Sequence, residues 1–186
     1  MDERSLLTLP PDLPVPVDDG AAAHLAGTRI PHVALAATDG STVDLAAIPG
    51  LVVVFAYPRT GRPGEPSLVD DWDMIPGARG CTPHTCGFRD LHAEFGALGA
   101  RVFGLSTQDT AYQREMVERL HVPFPVLSDE QLALTNALRL PTMEVAGQAL
   151  LKRIAWIARD GVIERVFYPV FPPNENASVV LAALRG

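Results

Sequence analysis

The chain has 186 residues, 47% of them hydrophobic and 20% charged, with a formal net charge of −7. That length fits one domain with a substantial core, and the acidic balance argues against a general nucleic-acid binder, which would carry a basic stripe. No apolar run nears the about 18 residues a bilayer demands, and Met1-Asp2-Glu3-Arg4, running on into Pro10, Pro11, Pro14 and Pro16, is unlike a signal peptide, so the expectation is a soluble cytoplasmic protein bound to neither membrane nor nucleic acid.

Residues 1–27 are rich in Pro, Asp and Ala and lack periodicity, which predicts a largely irregular tail ahead of a domain over 28–186. His32 to Leu45 reads as a hairpin turning at Thr38-Asp39-Gly40-Ser41. Leu51 to Tyr57 is continuously apolar, the pattern of a central strand covered on both faces. Residues 58–80 are broken by proline and glycine and form a long loop of the kind that carries function. A helix follows, with Phe88, Leu91, Phe95 and Leu98 as its core stripe and Gly99 as its stop.

Arg101 to Ser106 is the next strand, and Asp109 caps a helix to Leu120 with Tyr112, Met116 and Leu120 on one face. Phe124 to Leu127 is a short strand, and 129–138 a short helix. Ala149 to Ala158 and Val162 to Phe167 are strands joined at Asp160-Gly161, a strong hairpin signal. A last helix over 174–184 buries Val179, Val180 and Leu184. Alternating strands and helices predict an α/β sandwich with a mixed sheet, an order that a thioredoxin-like fold satisfies.

The two cysteines, Cys81 and Cys86, sit five residues apart after a central strand and at the start of a helix. Open α/β sheets bind ligands at that place. Pro83 suits a first helical turn, so Cys81 falls at the helix N-terminus, where free N–H groups and the dipole favour a thiolate. Such a thiolate can attack a peroxide O–O bond and become a sulfenic acid, with which Cys86 can condense. In a continuous helix the two Cα atoms would stand roughly 8.6 Å apart. A disulfide needs them within about 7 Å, so the first turns must unwind for the sulfurs to meet. Blander readings remain at this point: inert core thiols, or a zinc site of Cys81, Cys86, His84 and His92. His84 and His92 can also carry protons, although a helix-surface histidine is the commoner case.

These residues carry a resemblance. Tyr57-Pro58, Gly80-Cys81-Thr82, Cys86 four residues on, Phe88-Arg89-Asp90, Gly104-Leu105-Ser106-Thr107, Val126-Leu127-Ser128-Asp129 and Arg153-Ile154 together resemble the peroxiredoxins, in the peroxiredoxin Q or bacterioferritin comigratory protein branch. The resemblance implies a thioredoxin-like fold, a peroxidatic Cys81, a resolving Cys86 and Arg153 as the guanidinium beside the thiolate. It also implies a thioredoxin-like or glutaredoxin-like reductant, a monomer or weak dimer, and neither cofactor nor metal. The family motif places Pro and then Thr or Ser shortly before the cysteine. Here residues 61–79 split that motif, and position 78 is Ala. Thr60 is the expected replacement for the hydroxyl, with Thr82 the second candidate. Trp72, Met74 and Ile75 in the inserted loop suggest a lid or a partner contact.

The reading is therefore a thiol peroxidase acting on hydrogen peroxide or organic hydroperoxides. The missing hydroxyl keeps two alternatives in play: a dithiol sensor or exchange protein without efficient turnover, and a non-enzymatic interaction domain.

Overall fold

The structure is a computed structural model, and it describes residues 3–186. In chain order the elements are α1 (Glu3–Leu7), β1 (Ala34–Ala37), β2 (Thr42–Asp44), β3 (Leu51–Ala56), α2 (Cys81–Asp90), α3 (His92–Ala97), β4 (Ala100–Ser106), α4 (Thr110–Leu120), β5 (Val126–Ser128), α5 (Ala133–Leu138), β6 (Thr142–Val145), β7 (Gln148–Leu151), β8 (Ile154–Arg159), β9 (Val162–Phe167) and α6 (Asn176–Arg185). Seven strands form one sheet in the order β2-β1-β5-β4-β3-β8-β9. β3 runs parallel to β4 and antiparallel to β8, so the sheet is mixed. β6 and β7 pair separately as a small antiparallel hairpin.

β3 organises the core. Every one of its residues is buried, and alternate side chains serve the two faces of the sheet. Val52, Val54 and Ala56 join Leu105, Leu127 and Trp156 in one cluster. Leu51, Val53, Phe55 and Tyr57 join Phe88, Phe95 and Met116 in the other. This is the pattern a continuous apolar run gives when helices cover both sides. Phe55 stacks on Phe88 with ring centroids 4.2 Å apart and planes 5° apart. That contact lays α2 across the sheet and brings its N-terminus to the carboxyl end of β3.

Four details depart from the sequence reading. The helix expected through Leu98 divides at Leu91, whose φ of −103° and ψ of 12° leave helical geometry, and Leu98 is exposed. The strand expected over 149–158 is interrupted at Lys152-Arg153. The Lys152 amide donates to the Pro141 carbonyl (2.8 Å), which extends the register of the β6–β7 pair and not that of β8. The first half of that strand turns back at Ala146-Gly147, both at positive φ, to pair with the unforeseen β6. On α4 the buried face is Gln113, Met116 and Leu120, and on α6 it is Ala177, Val180 and Leu181. Met116, Leu120 and Val180 are buried as expected, whereas Gln113 stands in for Tyr112, and Ala177 and Leu181 for Val179 and Leu184, which leaves Tyr112 and Leu184 half-buried and Val179 exposed.

The 61–79 segment is not a free loop. Trp72 and Ala78 pack with Val145 and Leu150 of the β6–β7 hairpin, with Leu68, Val69, Ile75 and Met143 around them. Met74 is exposed. The N-terminal residues also lie on the body of the protein. Leu6, Ala22 and Leu25 are buried, and Asp19 takes hydrogen bonds from Lys152 Nζ (2.6 Å) and the Tyr168 hydroxyl (2.7 Å). No described helix is long and apolar enough to cross a membrane.

Candidate active site

Gly80 precedes α2 at φ 97°, a left-handed conformation that a β-carbon opposes. A Cβ there would also stand 2.5 Å from Pro173 Cγ and 2.7 Å from Leu9 Cδ2. The glycine thus permits both the turn and the close approach that place Cys81 as the first residue of α2. Cys81 is buried, and its thiol donates to the Ala78 carbonyl (3.4 Å). Arg153 Nη2 donates to Cys81 Sγ at 3.1 Å. The same nitrogen is shared with the carbonyls of Gly77 (3.3 Å), Ala78 (3.2 Å) and Arg79 (3.1 Å). A guanidinium donating to sulfur at a helix N-terminus is a setting that stabilises negative charge on that sulfur. The break in the strand at Lys152-Arg153 allows this, because it frees Arg153 to turn inward while Lys152 reaches Asp19.

Arg153 is itself held by a histidine. Its Nη1 donates to His84 Nδ1 (2.9 Å), and His84 Nε2 donates to Asn176 Oδ1 (2.8 Å). His84 is fully buried. Burial, and after it the charge of Arg153, push its pKa well below the usual histidine value. A neutral ring with the proton on Nε2 is the one form that satisfies both partners. His84 is therefore neither a surface residue nor a carrier poised near neutrality. A sequence signal for this existed: the stripe through Leu91 and Phe88, carried back by helical spacing, passes through positions 84 and 81.

Cys81 opens onto a cavity of ≈ 40 Å³, shared with Thr60, Thr82, Trp72 and Leu6. That is enough for small polar groups the size of water or peroxide. Thr60 is buried and clamped by Gln108. Its N–H and hydroxyl both donate to Gln108 Oε1 (2.9 and 3.1 Å), and Gln108 Nε2 donates back to the Thr60 carbonyl (3.2 Å). The hydroxyl oxygen retains lone pairs to accept a hydrogen bond from a ligand. Thr82 is equally buried on the same cavity wall. Gln108 was not singled out in the sequence; it follows the Gly104 to Thr107 run at the carboxyl end of β4, and nothing local announces its role.

Cys86 is half-buried on the same uninterrupted helix, and both cysteines are free thiols. Burial raises the Cys86 thiol pKa, against the opposing charge of Arg89. His92 lies beside Phe124, with ring centroids 5.7 Å apart, away from the sulfurs' hydrogen-bond network. Among the described residues no three or more His, Cys, Asp or Glu side chains gather as a metal site.

Against known proteins, the redoxin family pattern matches residues 25–184. Peroxiredoxin Q, chloroplastic, of Oryza sativa subsp. japonica is 28% identical over 160 residues, 86% of this chain and 66% of that protein. Peroxiredoxin bcp1 of Schizosaccharomyces pombe is 31% identical over 138 residues, 73% of this chain and 60% of that protein. The chain thus spans about two thirds or less of these relatives' length. Peroxidoxin BcpB of Mycobacterium tuberculosis superposes with a TM-score of 0.69 at 26% identity, over 86% of this chain and 96% of that one. A peroxiredoxin Q structure from Xanthomonas campestris, at 22% identity and a TM-score of 0.65 over 94% of this chain and 97% of that one, shares the fold. With its thioredoxin-like mixed sheet, the chain belongs to the redoxin family, in the peroxiredoxin Q and bacterioferritin comigratory protein branch.

Proposed function

We propose that this protein is a thiol peroxidase in which Cys81 is the peroxidatic and Cys86 the resolving residue. The observation that carries the reading is the 3.1 Å contact from Arg153 Nη2 to Cys81 Sγ beside a cavity that Thr60 also lines. Peroxide enters with its O–O bond in line with the sulfur. Arg153 and the Thr60 hydroxyl, with Thr82 as the alternative, hold its oxygens. The thiolate attacks one oxygen, the O–O bond breaks, and water or an alcohol leaves after taking a proton. Cys81 is left as a sulfenic acid.

The Cys86 thiol then condenses with that acid, releasing water and forming a disulfide. With residues 81–86 helical the Cα atoms are separated by roughly 8.6 Å, beyond the about 7 Å limit for a disulfide. The N-terminal turns of α2 therefore open between the two steps. Opening also removes the burial that raises the Cys86 pKa, making that thiol a better nucleophile. Each turnover leaves the dithiol two electrons short, so a thioredoxin-like or glutaredoxin-like partner must return them.

A peroxide-consumption assay with a thioredoxin system tests the assignment. Cys81→Ser abolishes turnover. Cys86→Ser keeps a single round of Cys81 oxidation and loses the disulfide. Turnover that survives Cys81→Ser sinks the proposal, and wild-type oxidation without turnover leaves a dithiol sensor as the better reading.

A further inference from the structure

Residues 5–17 lie across the turn that leads into α2. Leu6 is buried, and a Cβ on Gly61 would stand 3.0 Å from its Cδ2. Arg79 donates to the Ser5 carbonyl. A Cβ on Gly80 would stand 2.7 Å from Leu9 Cδ2, and one on Gly77 3.7 Å from Pro16 Cβ. Leu13 and Pro14 border a crevice with Gly77, Arg79 and Arg153. The segment thus touches Gly77, Arg79 and Gly80, the stretch of backbone from which Cys81 hangs.

Side chains make most of these contacts. Residues 9–17 form no backbone–backbone hydrogen bond among the described residues, and Pro10, Pro11, Pro14 and Pro16 have no N–H to give. A segment held in this way has little stability of its own and can detach without disturbing the sheet. Its anchor lies beyond it. Asp19 takes hydrogen bonds from Lys152 Nζ (2.6 Å) and the Tyr168 hydroxyl (2.7 Å), and Ala22 and Leu25 are buried.

Gly80 has no slack, because Leu9 and Pro173 together leave no room for even a methyl group. At the far end of the cysteine pair, a Cβ on Gly87 would stand 3.3 Å from the Asn174 carbonyl oxygen, and Phe88 is stacked on Phe55. The cysteine Cα atoms must close from roughly 8.6 Å to within about 7 Å. The backbone at Gly80 and Cys81 therefore turns, and a turn there displaces Leu9.

We propose that residues 5–17 are a strap whose attachment depends on the redox state of the cysteine pair. The strap holds the first turn of α2 wound in the dithiol form and is released when Cys81 and Cys86 form a disulfide. The inference rests on that pairing, and through it on the peroxidase reading. Attachment and winding favour one another, so the coupling is reciprocal: the strap disfavours the disulfide, and the disulfide frees the strap. Release uncovers Leu6, Leu9 and Leu13, so an apolar segment is displayed in the oxidised protein alone.

The test forms the disulfide in the full-length chain in two ways, with hydrogen peroxide and with diamide, which takes the two thiol hydrogens and becomes the hydrazine. Proteinase K cleavage is then mapped by mass spectrometry. In the disulfide form, cuts within residues 5–17 come about tenfold faster than in the dithiol form, while cuts within 22–57 stay slow. Leu9 lies outside the cavity that holds Cys81, and Leu9→Ala shifts the thiol–disulfide equilibrium with dithiothreitol about fivefold towards the disulfide. Leu13→Ala moves it in the same direction, which a merely structural loss would not do. Equal cleavage of the strap in both forms, or an equilibrium that neither variant moves, overturns the inference. If diamide frees the strap but hydrogen peroxide does not oxidise the cysteines, the strap stands and the peroxidase reading falls. If neither reagent joins Cys81 to Cys86, both fall.

Discussion

Arg153 faces the sulfur with one terminal nitrogen and His84 with the other. A planar fork can satisfy both at once, and a lysine ammonium cannot. Arg153→Met is expected to slow Cys81 oxidation by about 10²–10³-fold, the scale seen when one fixed donor to a reacting centre is lost. Arg153→Lys should recover little of it. Stopped-flow oxidation of the Cys86→Ser chain measures both, and a Lys variant near wild-type speed would refute the fork argument. Asn176 acts one step further back, by fixing the proton on His84 Nε2. Asn176→Asp keeps the acceptor and should preserve the rate better than Asn176→Leu, which removes it.

The buried state of His84 also has a pH signature. In the unfolded chain this ring titrates near about 6.5. In the fold its pKa is well below that, chiefly through burial and then through Arg153. Below about pH 6.5 the unfolded state binds a proton that the folded state refuses, so stability falls as the solution is acidified. The slope from this one group approaches about 1.4 kcal/mol per pH unit. Urea midpoints between neutrality and about pH 5.5 should drop less steeply in His84→Gln than in the parent chain. Equal slopes would mean that the ring titrates normally in the fold.

At the scale of elements, the N-terminus of α2 mounts the sulfur and, on the proposed mechanism, is also the part that opens. Gly80→Ala meets a φ of 97° and a Cβ clash at 2.5 Å with Pro173. It should cost about 2 kcal/mol or more, seen in the denaturation midpoint. On oxidation to the disulfide, the His84 amide bond to Gly80 O (3.0 Å) and the Thr85 hydroxyl bond to Cys81 O (3.0 Å) are expected to break. Hydrogen exchange over residues 82–87 should then rise while β3 and β4 stay protected. Unchanged protection in the oxidised protein would show that the sulfurs meet without unwinding.

The same elements show what was legible beforehand. β3, β4, α4 and the Asp160-Gly161 hairpin followed from apolar runs, caps and turn residues, all of them local signals. The β6–β7 hairpin did not, because Ala146-Gly147 is a weak turn signal and Lys152 hides the end of a strand inside an apolar run. The place of Thr60 after Tyr57-Pro58 suggests it as the replacement hydroxyl, and it lines the cavity with Cys81. The Gln108 clamp on Thr60 was out of reach, since the two residues are 48 positions apart and meet only when β3 and β4 pair. His84 shows another limit: residue type alone suggests a proton carrier or a surface histidine, although its helical phase matches that of the buried Phe88.

Across the whole molecule, the N-terminal segment and the 61–79 insertion close around the site. Residues 61–79 pack onto β6–β7, and Leu6 and Leu9 lie against Gly61 and Gly80. Trp72 anchors the inserted segment, so Trp72→Ala should weaken that small cluster by about 3 kcal/mol. Limited proteolysis within 61–79 should accelerate while the sheet remains resistant. Uniform sensitivity along the chain would instead make the insertion part of the main cooperative unit.

The chain has two tryptophans, and the fold puts them on different errands. Trp72 walls the chamber that holds Cys81, whereas Trp156 sits in the cluster on the far side of the sheet. Chemistry at the sulfur thus alters the surroundings of one indole and spares the other. A Trp156→Phe chain would emit from Trp72 alone, and its fluorescence would follow the thiol through oxidation and rearrangement in real time, with no attached dye.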